Sequence, residues 1–400
     1  MGIVELPRRT SRDVGRGAGF RTDVEGLRAV AIGLVLLFNA GVPLTGGGRV
    51  GVDVFFVVSG FLITGLLVRE LDTTGRVGLA AFYARRARRI LPSAVVVVVG
   101  TVAATAVLVP GRAVATARDG IAAALQVANW WLLSFGTQDL GADVSHSPLK
   151  HYWSLAVEEQ FYLLWPVLVV VLTAWHARRG GAAGDLRRRL AAGLGVVTVL
   201  SFAASVVVSS QAELLGYLSS PTRAWQFGVG GLLALAVPLL DRAAADRRAE
   251  RALRVAGPVG LLAVVGCLPW VGSVVYPGAA ALVPTLGTAA VIAAGCSGRA
   301  GSGVGWLLSL PAVRFLGRSS YTWYLWHVPA VFFAAELAGV DGWPSVLAVE
   351  LLAVVPAVAT TVLVEKPLRH ARAVAGTRGG LLLGGVTTAV ALAVCGAVLV

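Results

Sequence analysis

The chain has 400 residues, 56% of them hydrophobic and only 14% charged, whereas a soluble domain carries roughly a quarter charged residues. A water-solvated surface cannot be built from that composition, and apolar runs of about 17 to 25 residues recur along the whole length, each long enough to span a hydrocarbon core of about 30 Å. The net charge of +13 would suit a nucleic-acid partner, but the arginines fall in short clusters between apolar runs, the pattern that sets membrane topology, so no nucleic acid is expected.

Residues 1–20 read as a disordered basic tail holding Arg8, Arg9, Arg12 and Arg16. They are not a signal peptide, because no small-residue cleavage site leads into a soluble body. Spans are expected at Leu27–Gly41, Val50–Val68, Leu91–Val109, Ser154–Trp175, Leu190–Ser209 and Ala224–Leu240. Further spans are expected at Val255–Val271, Ala279–Ala294, Tyr321–Leu337, Ser345–Val364 and Gly380–Val400. The sequence therefore predicts an all-α, polytopic transmembrane helical bundle, with about ten core spans and a C-terminal eleventh.

Ile121–Phe135 is ambiguous. If the basic N-terminus is cytoplasmic and this stretch does not cross, the loops holding Arg85 to Arg89, Arg178 to Arg189, Arg242 to Arg254 and Lys366 to Arg372 all fall inside. A full crossing would put the later clusters outside, so a re-entrant or interfacial helix is expected, with Trp130 and Trp131 at the interface. The core then ends near residue 370, and 371–400 is a linker plus one helix that carries the C-terminus outside. No inverted repeat of the transporter kind is visible.

Ionisable residues inside spans are functional candidates, because each costs about 2.5 to 3.5 kcal/mol to insert at the bilayer centre. Asp53, Glu158, Glu159, His327, Glu336 and Glu350 are the ones present. Glu158 and Tyr162 are four apart and share a helix face. Two readings stand for the carboxylates: one faces a cavity, or both are structural and pair with residues such as Arg28 or Arg223. Arg86 and Arg89 lie one turn apart and read either as a positive-inside anchor or as a clamp for a phosphorylated ligand. His146 and His151 fall in an outer loop, and His176 and His370 in basic loops. Ser59-Gly60 reads as a helix-packing site. The cysteines Cys267, Cys296 and Cys395 have no disulfide or metal spacing, and no metal is expected.

Several segments occur together in one order. They are Arg21-Thr-Asp-Val-Glu-Gly-Leu-Arg28, Gly51-Val-Asp-Val-Phe-Phe-Val-Val-Ser-Gly-Phe-Leu-Ile-Thr64, Phe82-Tyr-Ala-Arg-Arg-Ala-Arg-Arg-Ile-Leu-Pro92 and Tyr152-Trp-Ser-Leu-Ala-Val-Glu-Glu-Gln-Phe-Tyr162. Tyr276-Pro-Gly278, Pro284-Thr-Leu-Gly287, Tyr321-Thr-Trp-Tyr-Leu-Trp-His327 and Glu365-Lys-Pro-Leu-Arg369 follow. From about Arg21 to Arg369 the chain resembles the acyltransferase-3 family of bacterial membrane O-acyltransferases.

The resemblance implies transfer of an acyl group, usually acetyl, from cytoplasmic acyl-CoA (acetyl-CoA) to a hydroxyl of an extracytoplasmic cell-envelope carbohydrate. It assigns the Arg-x-x-Arg donor motif to Arg86 and Arg89, with Arg85 and Arg88 as the offset reading. Some members continue past an eleventh span into an extracytoplasmic hydrolase-like domain. Glu158, Asp53, His327 and Asn39 are the expected catalytic set, and Arg28, Trp153, Tyr162 and Arg223 are expected to meet substrate.

Two positions depart from the family pattern. Where the family carries an essential histidine, in a context like Phe-His-Ala-Gly, this chain reads Phe38-Asn-Ala-Gly41, and Gln226 stands where a glutamate is frequent. An amide does not titrate near neutral pH, so Asn39 cannot be a general base and can only donate or accept hydrogen bonds. The alternative is therefore a weak or inactive member that binds or moves a lipid-linked glycan.

Overall fold

The computed structural model describes residues 21–135, 147–179, 185–296 and 303–400. The expected tail, residues 1–20, and His146 lie outside them.

Every regular element among the described residues is helical. In chain order they are α1 (Thr22–Asn39), α2 (Val50–Thr74), α3 (Leu79–Leu108), α4 (Ala113–Ala124), α5 (Ala128–Ser134) and α6 (Tyr152–Arg178). Then come α7 (Leu186–Gln211), α8 (Glu213–Leu218), α9 (Ser220–Ala243), α10 (Arg247–Gly266), α11 (Leu268–Val271) and α12 (Leu282–Gly295). The last are α13 (Val304–Leu308), α14 (Pro311–Ala338), α15 (Trp343–Leu352), α16 (Val354–Thr360), α17 (Lys366–His370) and α18 (Thr377–Leu399).

Among the described residues eight helices are long and apolar enough to cross a membrane: α2, α3, α6, α7, α9, α10 with α11, the continuous run from α15 to α17, and α18. The other three expected spans are also helical. α1 carries Asp23, Glu25 and Arg28, α14 carries Arg314, Arg318 and Glu336, and the Ala279–Gly295 helix is shorter. Ile121–Phe135 is broken: α4 is about 18 Å long and α5 about 10 Å, and Gln126 between them has φ +57°. Neither piece alone has the length of a hydrocarbon core of about 30 Å.

Close helix contact is made with small residues. A Cβ on Gly60 of α2 would lie 2.0 Å from the Phe227 carbonyl oxygen of α9, and one on Gly230 would lie 2.1 Å from the Val57 oxygen. The two backbones touch, which in lipid replaces the hydrophobic drive of water with van der Waals packing. The basic helix ends gather at one end of the bundle, where Arg85 pairs with Glu70 (3.1 Å), Arg187 with Asp72 and Arg314 with Glu25 (3.0 Å).

Candidate active site

A cavity of about 1000 Å³ lies inside the bundle, at the large end of ordinary ligand pockets. Along α2 its lining runs from Asp72 and Arg69 to Val52, about 30 Å of helix and so close to the thickness of a bilayer core. Arg69, Asp72 and Arg187 line it together, and Ser154 and Tyr324 line it as well.

Arg28 of α1 and Arg86 and Arg89 of α3 line this cavity. Arg86 stacks on Tyr162, its guanidinium carbon 4.3 Å from the ring centroid. None of the three makes a hydrogen bond or ion pair among the described residues. Arg85 and Arg88 are spent elsewhere: Arg85 holds Glu70 at 3.1 Å, and Arg88 donates to the carbonyls of Val374 (2.7 Å) and Ala375. The 3.6-residue period produces this split, since positions 86 and 89 share a face that 85 and 88 do not.

On α6, Ser154, Glu158 and Tyr162 form one stripe at four-residue spacing that faces the cavity. The Glu158 carboxylate accepts hydrogen bonds from the hydroxyls of Ser59 and Tyr162, which themselves lie 3.1 Å apart. Glu158 is thus held by hydroxyls rather than by an arginine. Ser59 therefore does more than pack, although its neighbour Gly60 is a packing contact. Glu159 also lines the cavity.

Asp53, Arg223 and Trp153 are not in the cavity lining. Asp53 and Arg223 form an ion pair of 2.6 Å in which both side chains are fully buried. Gln226 donates to the same Asp53 oxygen at 2.5 Å. A glutamate there would set a second carboxylate against Asp53, whereas the amide supplies a donor. Trp153 packs on Tyr217, ring centroids 4.7 Å apart, and the Arg223 guanidinium lies 5.2 Å from the same ring.

Asn39 and His327, which are not in the cavity lining, meet each other next to Tyr324. Asn39 Nδ2 is 2.9 Å from His327 Nε2, and His327 Nδ1 is 2.6 Å from the Tyr324 carbonyl. A carbonyl only accepts, so in the neutral ring Nδ1 carries the hydrogen and Nε2 accepts from the Asn39 amide. Tyr324 hydroxyl and Ser154 Oγ, both in the lining, are 2.7 Å apart, and the Tyr324 ring lies 5.0 Å from that of His327.

His151 was expected in an outer loop. It is instead buried at the N-terminal cap of α6, and its ring lies 5.2 Å from that of His327. Its only sequence signal is its place three residues before Ser154, at the head of the α6 stripe. His176 likewise is buried in the last turn of α6 rather than looped out, while His370 sits exposed in α17. The three cysteines are free and buried. No cluster of three or more metal-type ligands occurs among the described residues.

The fold and the cavity define a polytopic helical membrane protein with an internal chamber lined by several arginines and by polar side chains. The Acyltransferase domain profile of the acyltransferase-3 family matches residues 21–365, and the chain belongs to that family. It is 29% identical over 333 residues to the peptidoglycan O-acetyltransferase OatA of Listeria monocytogenes, covering 82% of this chain and 52% of that protein. It is 31% identical over 361 residues to the putative peptidoglycan O-acetyltransferase YrhL of Bacillus subtilis, covering 86% and 54%. To the O-acetyltransferase OatA of Staphylococcus aureus it is 29% identical over 316 residues, covering 78% and 50%. The chain thus spans about half the length of these relatives. No solved structure matches it.

Proposed function

We propose that this chain is a membrane O-acyltransferase that passes an acyl group, acetyl first among candidates, from acyl-CoA to a hydroxyl of a cell-envelope carbohydrate of the peptidoglycan class. The cytoplasmic side is the basic end, by the positive-inside bias. One observation carries the reading: Arg28, Arg86 and Arg89, three guanidiniums that make no hydrogen bond or ion pair among the described residues, line a cavity that follows α2 for about 30 Å. Phosphate oxygens would satisfy that donor set by bidentate hydrogen bonds. A thioester reaching inward would then lie along the Ser59–Glu158–Tyr162 network.

Acyl transfer needs a base for the hydroxyl proton and donors for the developing oxyanion. Tyr162, Ser59 and the Asn39 amide are hydrogen-bond donors along the route. Asp53, committed to Arg223, has the role of fixing α2 against α9, and Trp153 and Arg223 complete that support near the outer end. The relatives named as peptidoglycan O-acetyltransferases support the acceptor class.

The test is label transfer in proteoliposomes, with radiolabelled acetyl-CoA on the basic side and peptidoglycan fragments opposite. Base-labile label on the fragments is the expected result. Absence of both transfer and acetyl-CoA hydrolysis would overturn the reading and leave the glycan-binding alternative, which rests on the Asn39 position.

A further inference from the structure

His151 takes no part in the donor cavity or in the Asn39–His327 contact, yet its surroundings fix its chemistry. Pro329 in α14 has no backbone N–H, so the helix's own ladder leaves the Leu325 carbonyl open. His151 Nε2 fills that vacancy at 3.1 Å. Because a carbonyl only accepts, Nε2 carries the hydrogen, and Nδ1 of the neutral ring is a lone pair.

That Nδ1 is buried and has no hydrogen-bond partner among the described residues. His327 differs, since both its nitrogens are engaged. Leaving a buried acceptor unsatisfied costs about 1–3 kcal/mol, so an atom of this kind marks a place where a donor arrives. The place is specific. His151 is 4% exposed, its ring lies 5.5 Å from that of Tyr324, and its carbonyl accepts from the Tyr324 hydroxyl (3.1 Å). Ser154 and Tyr324 line the cavity, so His151 contacts residues of the cavity wall without lining it itself. Asn39, which contacts His327, has no nitrogen that can take a proton.

We infer that His151 Nδ1 is the proton acceptor for the attacking hydroxyl in this chain, an inference that rests on the acyl-transfer reading above. As the hydroxyl oxygen bonds to the acyl carbon, its proton passes to Nδ1, which the hydroxyl reaches once the Ser154–Tyr324 pair parts. The bond from that carbon to the donor's sulfur breaks, the sulfur leaves with the electron pair, and the imidazolium returns the proton to it. The Nε2–H bond to Leu325 keeps the ring from turning its N–H toward the hydroxyl.

The experiment compares the parent chain, His151→Gln, and His151→Gln combined with Asn39→His, in the label-transfer assay. Glutamine keeps an N–H for the Leu325 carbonyl but cannot take a proton. The expected result is a fall in kcat of about 10² to 10⁴ with KM for acetyl-CoA unchanged, since the donor residues lie elsewhere. Asn39→His places a titratable ring against the same wall and should recover at least about tenfold of the loss. Turnover in His151→Gln equal to the parent's, or a loss that Asn39→His does not recover, overturns the inference. A parent chain that transfers nothing would instead remove the reading on which it rests.

Discussion

Replacing Arg89 with alanine tests whether the arginine cluster binds the donor, because its neighbours supply an internal control. Arg89 lines the cavity with no hydrogen bond or ion pair among the described residues, so a phosphate contact would supply its hydrogen bonds. A hydrogen bond to a charged group contributes about 1.5–3 kcal/mol, which at 1.4 kcal/mol per decade is roughly 10- to 150-fold in donor affinity. Arg85 pairs with Glu70 at side-chain exposures of 44% and 22%, and a pair that open to solvent contributes about 1 kcal/mol at most. Arg89→Ala should therefore raise KM for acetyl-CoA, or the dissociation constant in a direct binding titration, by at least about tenfold. Arg85→Ala should leave both unchanged, and Arg88→Ala should loosen the Val374–Ala375 link without weakening the donor. Equal effects of Arg85→Ala and Arg89→Ala would refute the reasoning, since a general positive potential at the cluster would then explain both.

The remaining predictions concern packing and the hydroxyl network. Asp53→Leu or Arg223→Met alone should destabilise the detergent-solubilised protein by about 3–5 kcal/mol, because each strands the other charge. The double variant should lose much less, as a thermal melt would read. Gly230→Val should lower the melting temperature by forcing α9 off the Val57 carbonyl, an overpacking cost of about 1–3 kcal/mol or more. Tyr162→Phe keeps the ring under Arg86 but removes a donor to Glu158. Acetyl-CoA affinity should hold while turnover falls, and a raised KM at constant kcat would show that the hydroxyl serves donor binding instead.

Helix existence was readable because an apolar run of bilayer length has few alternatives in lipid. Arginine placement argued for a non-crossing Ile121–Phe135, and the stretch is in fact broken into two short helices at Gln126. The Glu158–Tyr162 pair followed from four-residue spacing. Partners across helices did not follow. Nothing in the sequence tells that Asp53 meets Arg223, 170 positions away, or that Asn39 meets His327. Periodicity gives the face of a helix but not its neighbour. The burial of His151, in the turn before α6, did not follow for a related reason: it comes from Tyr324, Leu325 and His327 of α14.

His151 also shows how a residue that breaks one helix can orient a group on another. Pro329 costs α14 a backbone hydrogen bond, and His151 supplies the replacement donor. Pro329→Ala would return an N–H to position 329, four residues after Leu325, and draw the carbonyl back toward the α14 axis. The carbonyl has two lone pairs, so the histidine contact would weaken rather than vanish. The expected outcome is a higher melting temperature, because an interior proline is gone, together with a loss of turnover of up to about tenfold as the ring loses its fixed orientation, equivalent to about 1.4 kcal/mol. Donor affinity should not change. A variant that melts higher and turns over as fast as the parent would separate the proline from the chemistry and leave the Leu325 contact as packing alone.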